Sequence, residues 1–207
     1  EMWYVVDSEP GSYLYCGLSR DASKEEIQER INNNTITEIL NKIEVKAGDV
    51  VMVKAGTIHA IGAGVFICEI QQNSNCTYRM YDYDRRDKFG NPRELHVKKA
   101  LDVVDNHKYV KDNKTEVVIA RNEHFTEERL VQCKYFEVYK YDVNDEAKIT
   151  VDEASFVSVL FINGSGTIET DDYEKTMEFK AGDSFFVSAG LRSIIVKGQA
   201  TMVVTRV

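Results

Sequence analysis

Apolar and polar positions alternate in short runs along most of the chain, and Gly, Asp and Asn punctuate the runs. This is the pattern of half-buried strands joined by tight turns. Residues 1–6 and 12–16 read as strands split by the turn Glu9-Pro10-Gly11. Residues 43–54 read as two strands around Ala47-Gly48-Asp49, residues 65–70 as another, and residues 77–83 as a further one. Beyond an expected linker at 106–116, strands are expected near 116–121, 130–141, 147–150, 155–163, 175–180, 184–187, 193–196 and 200–206. Helical spacing interrupts this near the start. Ser23 and Glu26 have capping-box spacing, with Ile27 and Ile31 on one face, which predicts a helix over 23–32. Thr35 and Glu38 repeat the device and predict a second helix over 35–42. A short helix is expected over 97–104, after a charged loop at 84–94.

One segment occurs twice. Lys46-Ala47-Gly48-Asp49 returns as Lys180-Ala181-Gly182-Asp183. Each copy is followed by an apolar run and a second glycine at the same spacing, Gly56 and Gly190. Gly-Asp makes a tight turn between strands, so the repeat predicts two β-barrels or sandwiches on one plan. The copies differ three residues after the second glycine, where the first has His59 and the second Ser193. Only the first copy carries a metal-competent side chain there.

Composition narrows the function. With 207 residues and 43% hydrophobic content, the chain can bury one large core or two small ones. A formal net charge of -8 argues against nucleic acid as a partner, because phosphate backbones require a basic surface. No apolar stretch approaches the roughly 18 residues of a membrane span, so no membrane partner is expected. Cys16, Cys68, Cys76 and Cys133 show no metal-binding or disulfide spacing and read as free thiols in a reducing, cytoplasmic setting. The chain opens on Glu1 directly into a strand, and sequence before Glu1 is expected in the natural protein.

The candidate chemistry lies in the first half. His59 sits in a glycine-bracketed turn, Gly56-Thr57-Ile58-His59-Ala60-Ile61-Gly62, where an imidazole can bind a divalent metal or simply pack. Glu69 shares a strand face with Val65 and Ile67, and a carboxylate on an apolar face must be paired or bound. Arg79 lies among aromatic neighbours, suited to hold an anion or to pair with Glu69. The stretch from Gln71 to Asn75 offers amides for hydroxyl recognition or forms a plain loop. His96 reads as support for the loop before a helix, and His107 and His124 as surface residues.

Lys46-Ala47-Gly48-Asp49, Gly56-Thr57-Ile58-His59-Ala60-Ile61-Gly62 and the run from Glu69 to Tyr83, with Arg93-Glu94-Leu95-His96 and Lys98-Lys99-Ala100-Leu101, resemble the type I mannose-6-phosphate isomerases in their short bacterial form. The resemblance is dense over 43–104. It implies a mainly β bicupin: two cupin-like, jelly-roll barrels with a small helical insertion near 23–42. Unit 1–106 would be catalytic and incomplete at its start, and unit 107–207 degenerate and without metal. The implied activity is zinc-dependent interconversion of mannose 6-phosphate and fructose 6-phosphate, with a small sugar phosphate as partner. His59 and Glu1 fall on family Zn(2+) ligands, and a further pair belongs to an upstream Gln-x-His motif that this sequence lacks. Arg79 falls on the family's catalytic arginine, Glu69 lines the same pocket, and Gln71, Lys98 and Lys99 are implied in substrate binding, with Arg85 and Arg86 as further phosphate candidates. The missing motif keeps other readings open: a non-catalytic sugar-binding or regulatory cupin protein, another sugar isomerase, or a structural bicupin fragment.

Overall fold

The computed structural model describes residues 1–74, 76–111, 117–170 and 176–207. Asn75 of the polar loop, residues 112–116 with the end of the expected linker, and the start of the strand expected at 175–180 lie outside the described residues. The chain divides into two compact units, Glu1–Lys111 and Asp112–Val207.

The first unit contains β1 (Met2–Ser8), β2 (Tyr13–Leu18), α1 (Lys24–Asn32), β3 (Leu40–Glu44), β4 (Val50–Met52), β5 (His59–Ile61), β6 (Val65–Ile70) and α2 (Val97–Val103). Its strands form two antiparallel three-stranded sheets, in the orders β4-β1-β6 and β3-β2-β5. Trp3 and Val5 from one sheet and Leu14 and Cys16 from the other close a common core with Val45, Val51 and Val53. A second cluster packs Ile27 and Ile31 of α1 against Leu18, Ile36, Leu40 and Ala100.

The helix forms as its pattern demands. The Ser23 hydroxyl accepts from the Glu26 backbone N–H at 3.1 Å, a cap that stabilises by about 1 kcal/mol. The second expected helix is not formed. Ile36–Glu38 make one 3-10 turn, the Thr35 side chain does not cap it, and Leu40 enters β3 opposite Leu18. Tertiary pairing of an apolar strand overrides the local capping signal here. The strand expected at 77–83 is also absent. Tyr83 and Asp84 both have positive φ, 54° and 52°, which no strand accommodates.

The second unit contains β7 (Val117–Arg121), β8 (Phe125–Gln132), β9 (Glu137–Val143), β10 (Glu146–Val151), β11 (Val157–Thr170), β12 (Met177–Lys180), β13 (Ser184–Val187) and β14 (Arg192–Arg206). They make an eight-stranded antiparallel sheet in the order β12-β11-β14-β9-β8-β7, with β10 also on β14 and β13 also on β11. The single strand expected at 130–141 is a β8–β9 hairpin closed where the Cys133 N–H meets the Phe136 carbonyl at 3.0 Å. The two strands expected at the end are one continuous β14. Gly164 of β11 permits the close approach of this long pair, since a Cβ there would fall 1.9 Å from the Gln199 carbonyl oxygen.

The sequence repeat is a repeat of geometry. Gly48 and Gly182 have φ of 91° and 90°. Asp49 Oδ2 accepts from the Lys46 N–H at 2.8 Å, and Asp183 Oδ2 from the Lys180 N–H at 2.9 Å. The Gly48 N–H bonds the Val5 carbonyl and the Gly182 N–H the Phe161 carbonyl, each at 2.8 Å. The ladders of β1 with β6 and of β11 with β14 both shift register just after these residues. The architecture is therefore mainly β with two related halves. Closure of either half into a barrel is not part of the described pairings.

Candidate functional site

His59 opens β5 directly after the Gly56 turn. Gly56 has φ 84° and sits so close to the end of α2 that a Cβ would lie 2.6 Å from the Val103 carbonyl oxygen. That packing fixes where the turn delivers His59. The imidazole Nδ1 lies 2.8 Å from the Thr57 carbonyl oxygen. A carbonyl only accepts, so Nδ1 carries a proton and Nε2 is the nitrogen left to face the site. Nε2 lies 3.1 Å from Glu1 Oε1. The two residues implied as metal ligands, far apart in sequence, therefore meet. They leave Nε2 and a carboxylate oxygen directed at one region.

Trp3 joins this pair to Glu69. Its buried ring meets the His59 ring edge-on, with centroids 5.4 Å apart. Its indole Nε1–H donates to Glu69 Oε2 at 3.2 Å. The register explains the arrangement: Trp3 pairs with Glu69 across β1–β6, and Cys16 with His59 across β2–β5. Glu69 does share the face of Val65 and Ile67, which pack on the core, but its own side chain stands at the solvent-open end. Trp3 is the residue of the candidate site that pattern reading passed over. Its signal was its place on β1, two residues from Glu1 and so on the same strand face.

Arg79 is elsewhere engaged. Its Nη1 donates to the Glu94 carbonyl at 3.1 Å, and its backbone pairs with His96 in both directions, His96 Nδ1 accepting from the Arg79 N–H at 3.3 Å. The ion pair with Glu69 considered from sequence is not formed. His96 supports the loop and makes no side-chain cap on α2. Gln71 is exposed beyond β6. Lys98 and Lys99 are exposed on α2, with Lys99 Nζ 6.0 Å from the Tyr78 ring centroid. Among the described residues, none of Arg79, Gln71, Lys98 and Lys99 hydrogen-bonds to His59, Glu1 or Glu69.

The charged loop is tied to itself. Buried Asp82 accepts from Arg93 Nε at 2.8 Å, from Arg93 Nη2, and from Arg85 Nη2 at 2.8 Å. Arg93, then Arg85, hold its carboxyl down at about 2. Arg86 binds Asp84 at 2.9 Å. The arginines considered for phosphate therefore serve the loop. Among the described residues no group of three or more His, Cys, Asp or Glu side chains is placed to hold a metal ion. The four cysteines are unpaired, Cys16 and Cys68 being buried, with burial pushing both thiols up to about 11.

The family model described as "Mannose-6-phosphate isomerase, cupin domain" matches residues 126–207. YvyI of Bacillus subtilis (strain 168) is 38% identical over 212 residues, covering 100% of this chain and 64% of its own length. This chain is homologous along its whole length to bacterial mannose-6-phosphate isomerases. It spans about 64% of the length of that relative. The crystal structure of the Bacillus subtilis mannose 6-phosphate isomerase superposes with a TM-score of 0.89 at 36% identity, covering 100% of this chain and 64% of that one. The Salmonella typhimurium mannose 6-phosphate isomerase, solved with its substrate (f6p) and zinc, shares the fold with a TM-score of 0.67 at 13% identity, over 99% of this chain and 65% of its own.

Proposed function

We propose that this 207-residue chain binds a sugar phosphate beside His59 without turning it over alone, and that the same residues form part of an isomerase site in a longer family protein. One observation carries this reading. The structure joins two metal-competent groups, His59 and Glu1, while a catalytic zinc is held by about three protein ligands with an open position. The donor pair suits zinc in kind: an imidazole oriented by a backbone carbonyl, beside a carboxylate. It does not complete the set among the described residues.

In the longer protein, His59 and Glu1 would hold zinc, which when bound supplies Lewis acidity toward the sugar oxygens. The reaction is the interconversion of mannose 6-phosphate and fructose 6-phosphate, an aldose–ketose proton transfer between C2 and C1. Glu69, oriented by the Trp3 indole, is the group we assign to carry that proton. Arg79 is assigned to stabilise the negative charge that develops, a role that requires it to exchange the Glu94 carbonyl for substrate. Gln71, Lys98 and Lys99, exposed and without ion pairs among the described residues, are assigned to the hydroxyl and phosphate groups. The unit 1–106 is thus read as the working half of a bicupin, and the unit 107–207 as its degenerate counterpart.

Titration of mannose 6-phosphate into the chain, paired with a coupled assay for fructose 6-phosphate with and without zinc, tests the reading. Saturable binding without turnover is expected. Zinc-dependent turnover by the chain alone would overturn it and make the chain a complete isomerase.

A further inference from the structure

The inner face of the second unit changes character along its strands. At one end Val143, Tyr141, Ala200 and Met202 belong to the apolar core. Further along, the register sets Tyr139 opposite Val204 and Arg129, and Glu137 opposite Arg206 and Gln132. Directly paired residues share a sheet face. The apolar interior therefore runs into a half-buried group of Glu127, Arg129, Glu137 and Arg206 around Tyr139.

The carboxylates in this group are satisfied by neutral donors. Tyr141 hydrogen-bonds Glu127, and burial together with that bond pushes its phenol up. The Tyr139 hydroxyl donates to Glu137 Oε2 at 2.7 Å, and the Gln132 amide donates to Oε1. The arginines are left over. Among the described residues neither Arg129 nor Arg206 forms an ion pair. Arg206 Nη2 donates to the Thr150 carbonyl at 3.0 Å, and its guanidinium lies 5.7 Å from the Tyr139 ring centroid. Its Nε is buried with no hydrogen-bond partner. Arg129 stands directly across from Tyr139 in the β8–β9 register.

A buried guanidinium N–H without an acceptor is costly and calls for an explanation. Packing does not supply one, because the Glu137 and Glu127 carboxylates are taken up by Tyr139, Gln132 and Tyr141 and neither pairs with Arg206. We infer that this end of the second unit is a subsite for a phosphate monoester, with Arg129 and Arg206 as the phosphate-binding groups on either side of Tyr139. Two guanidinium forks match the charge and the oxygen geometry of a phosphate dianion. The subsite lies in the unit that lacks His59, so it stands whether or not the isomerase reading does.

Calorimetric titration of inorganic phosphate into the intact chain tests it. Saturable binding is expected, weakened about tenfold or more by Arg129→Gln and by Arg206→Lys, the latter keeping the charge and losing Nε. Thermal melts check that each variant folds. Should Arg206→Lys fail to fold, Arg129→Gln decides, since its side chain is half-exposed. In a Lys98→Gln, Lys99→Gln variant, which removes the phosphate groups assigned to the first unit, a saturable component is expected to persist and to weaken about tenfold when Arg129→Gln is added. Loss of binding in the Lys98→Gln, Lys99→Gln variant itself would put the phosphate in the first unit and overturn the inference. Absence of saturable binding, or binding untouched by Arg129→Gln, would overturn it as well.

Discussion

The two units use one turn to opposite ends. In the first, Val5 accepts from Gly48 and donates to Asp49, and in the second Phe161 does the same with Gly182 and Asp183. Two residues earlier on each strand, the first unit has Trp3, paired with Val51 and Glu69. The second has Val159 at that point, paired with Phe185 and Val204. A tryptophan and carboxylate stand where the other unit has two valines, and His59 stands where it has Ser193. The turn and the bulge after it are therefore scaffold, indifferent to function. The candidate site differs from the second unit by a few exchanged positions, of which Trp3 is buried and His59 and Glu69 are exposed.

The sharpest break of this comparison is to make the first unit resemble the second at the histidine. In a full-length family protein carrying this segment, His59→Ala is expected to lower zinc content and turnover together, by about 100-fold or more in turnover. Unchanged zinc by elemental analysis would end the ligand assignment. Trp3→Val copies Val159 into β1. It should cost about 3 kcal/mol of stability in urea unfolding, from a cavity at the largest fully buried side chain of the chain. Trp3→Phe separates the roles: the ring against His59 is kept and the bond to Glu69 is lost, so turnover should fall about tenfold with zinc retained. Normal turnover would remove Glu69 from the mechanism.

A subtler contrast lies in the charged loop, which has no counterpart in the repeat. The Asp82 carboxyl is held below its ordinary value, so its contribution to stability is fully present above about pH 4 and is lost as pH falls through about 2. Hydrogen exchange of residues 82–93 should accelerate in that window, and Asp82→Asn should abolish the pH dependence. The smallest effects test the scaffold itself. Asp49→Ala and Asp183→Ala remove equivalent turn bonds and should each cost about 1 kcal/mol in urea unfolding. A large difference between them would mean that the turns are not equivalent.

Much of the fold was legible in the sequence. The α1 cap at Ser23, the repeated Gly-Asp turn and most strands lie within a few residues of where their patterns put them, because each depends on neighbours in the chain. The failures share a cause. Thr35 and Glu38 carry a helix signal, but Leu40 is drawn into pairing with Leu18. Residues 77–83 alternate like a strand, but Asp82 gathers Arg85 and Arg93 and bends the chain there. Two expected strands became one β14 because β9, β10 and β11 supply partners along its whole length.

The candidate site divides along the same line. Sequence by itself determined that His59 follows a glycine turn, that one repeat has a histidine where the other has a serine, and which family the motifs resemble. Those are properties of residue type and local spacing. Only the tertiary structure decided that His59 meets Glu1, that Trp3 links His59 to Glu69, that Arg79 rests on Glu94, and that Arg206 is left with a buried, unpartnered N–H. Each of these depends on cross-strand register or loop closure between residues far apart in the chain. A shift of one residue in register turns every such side chain to the opposite face.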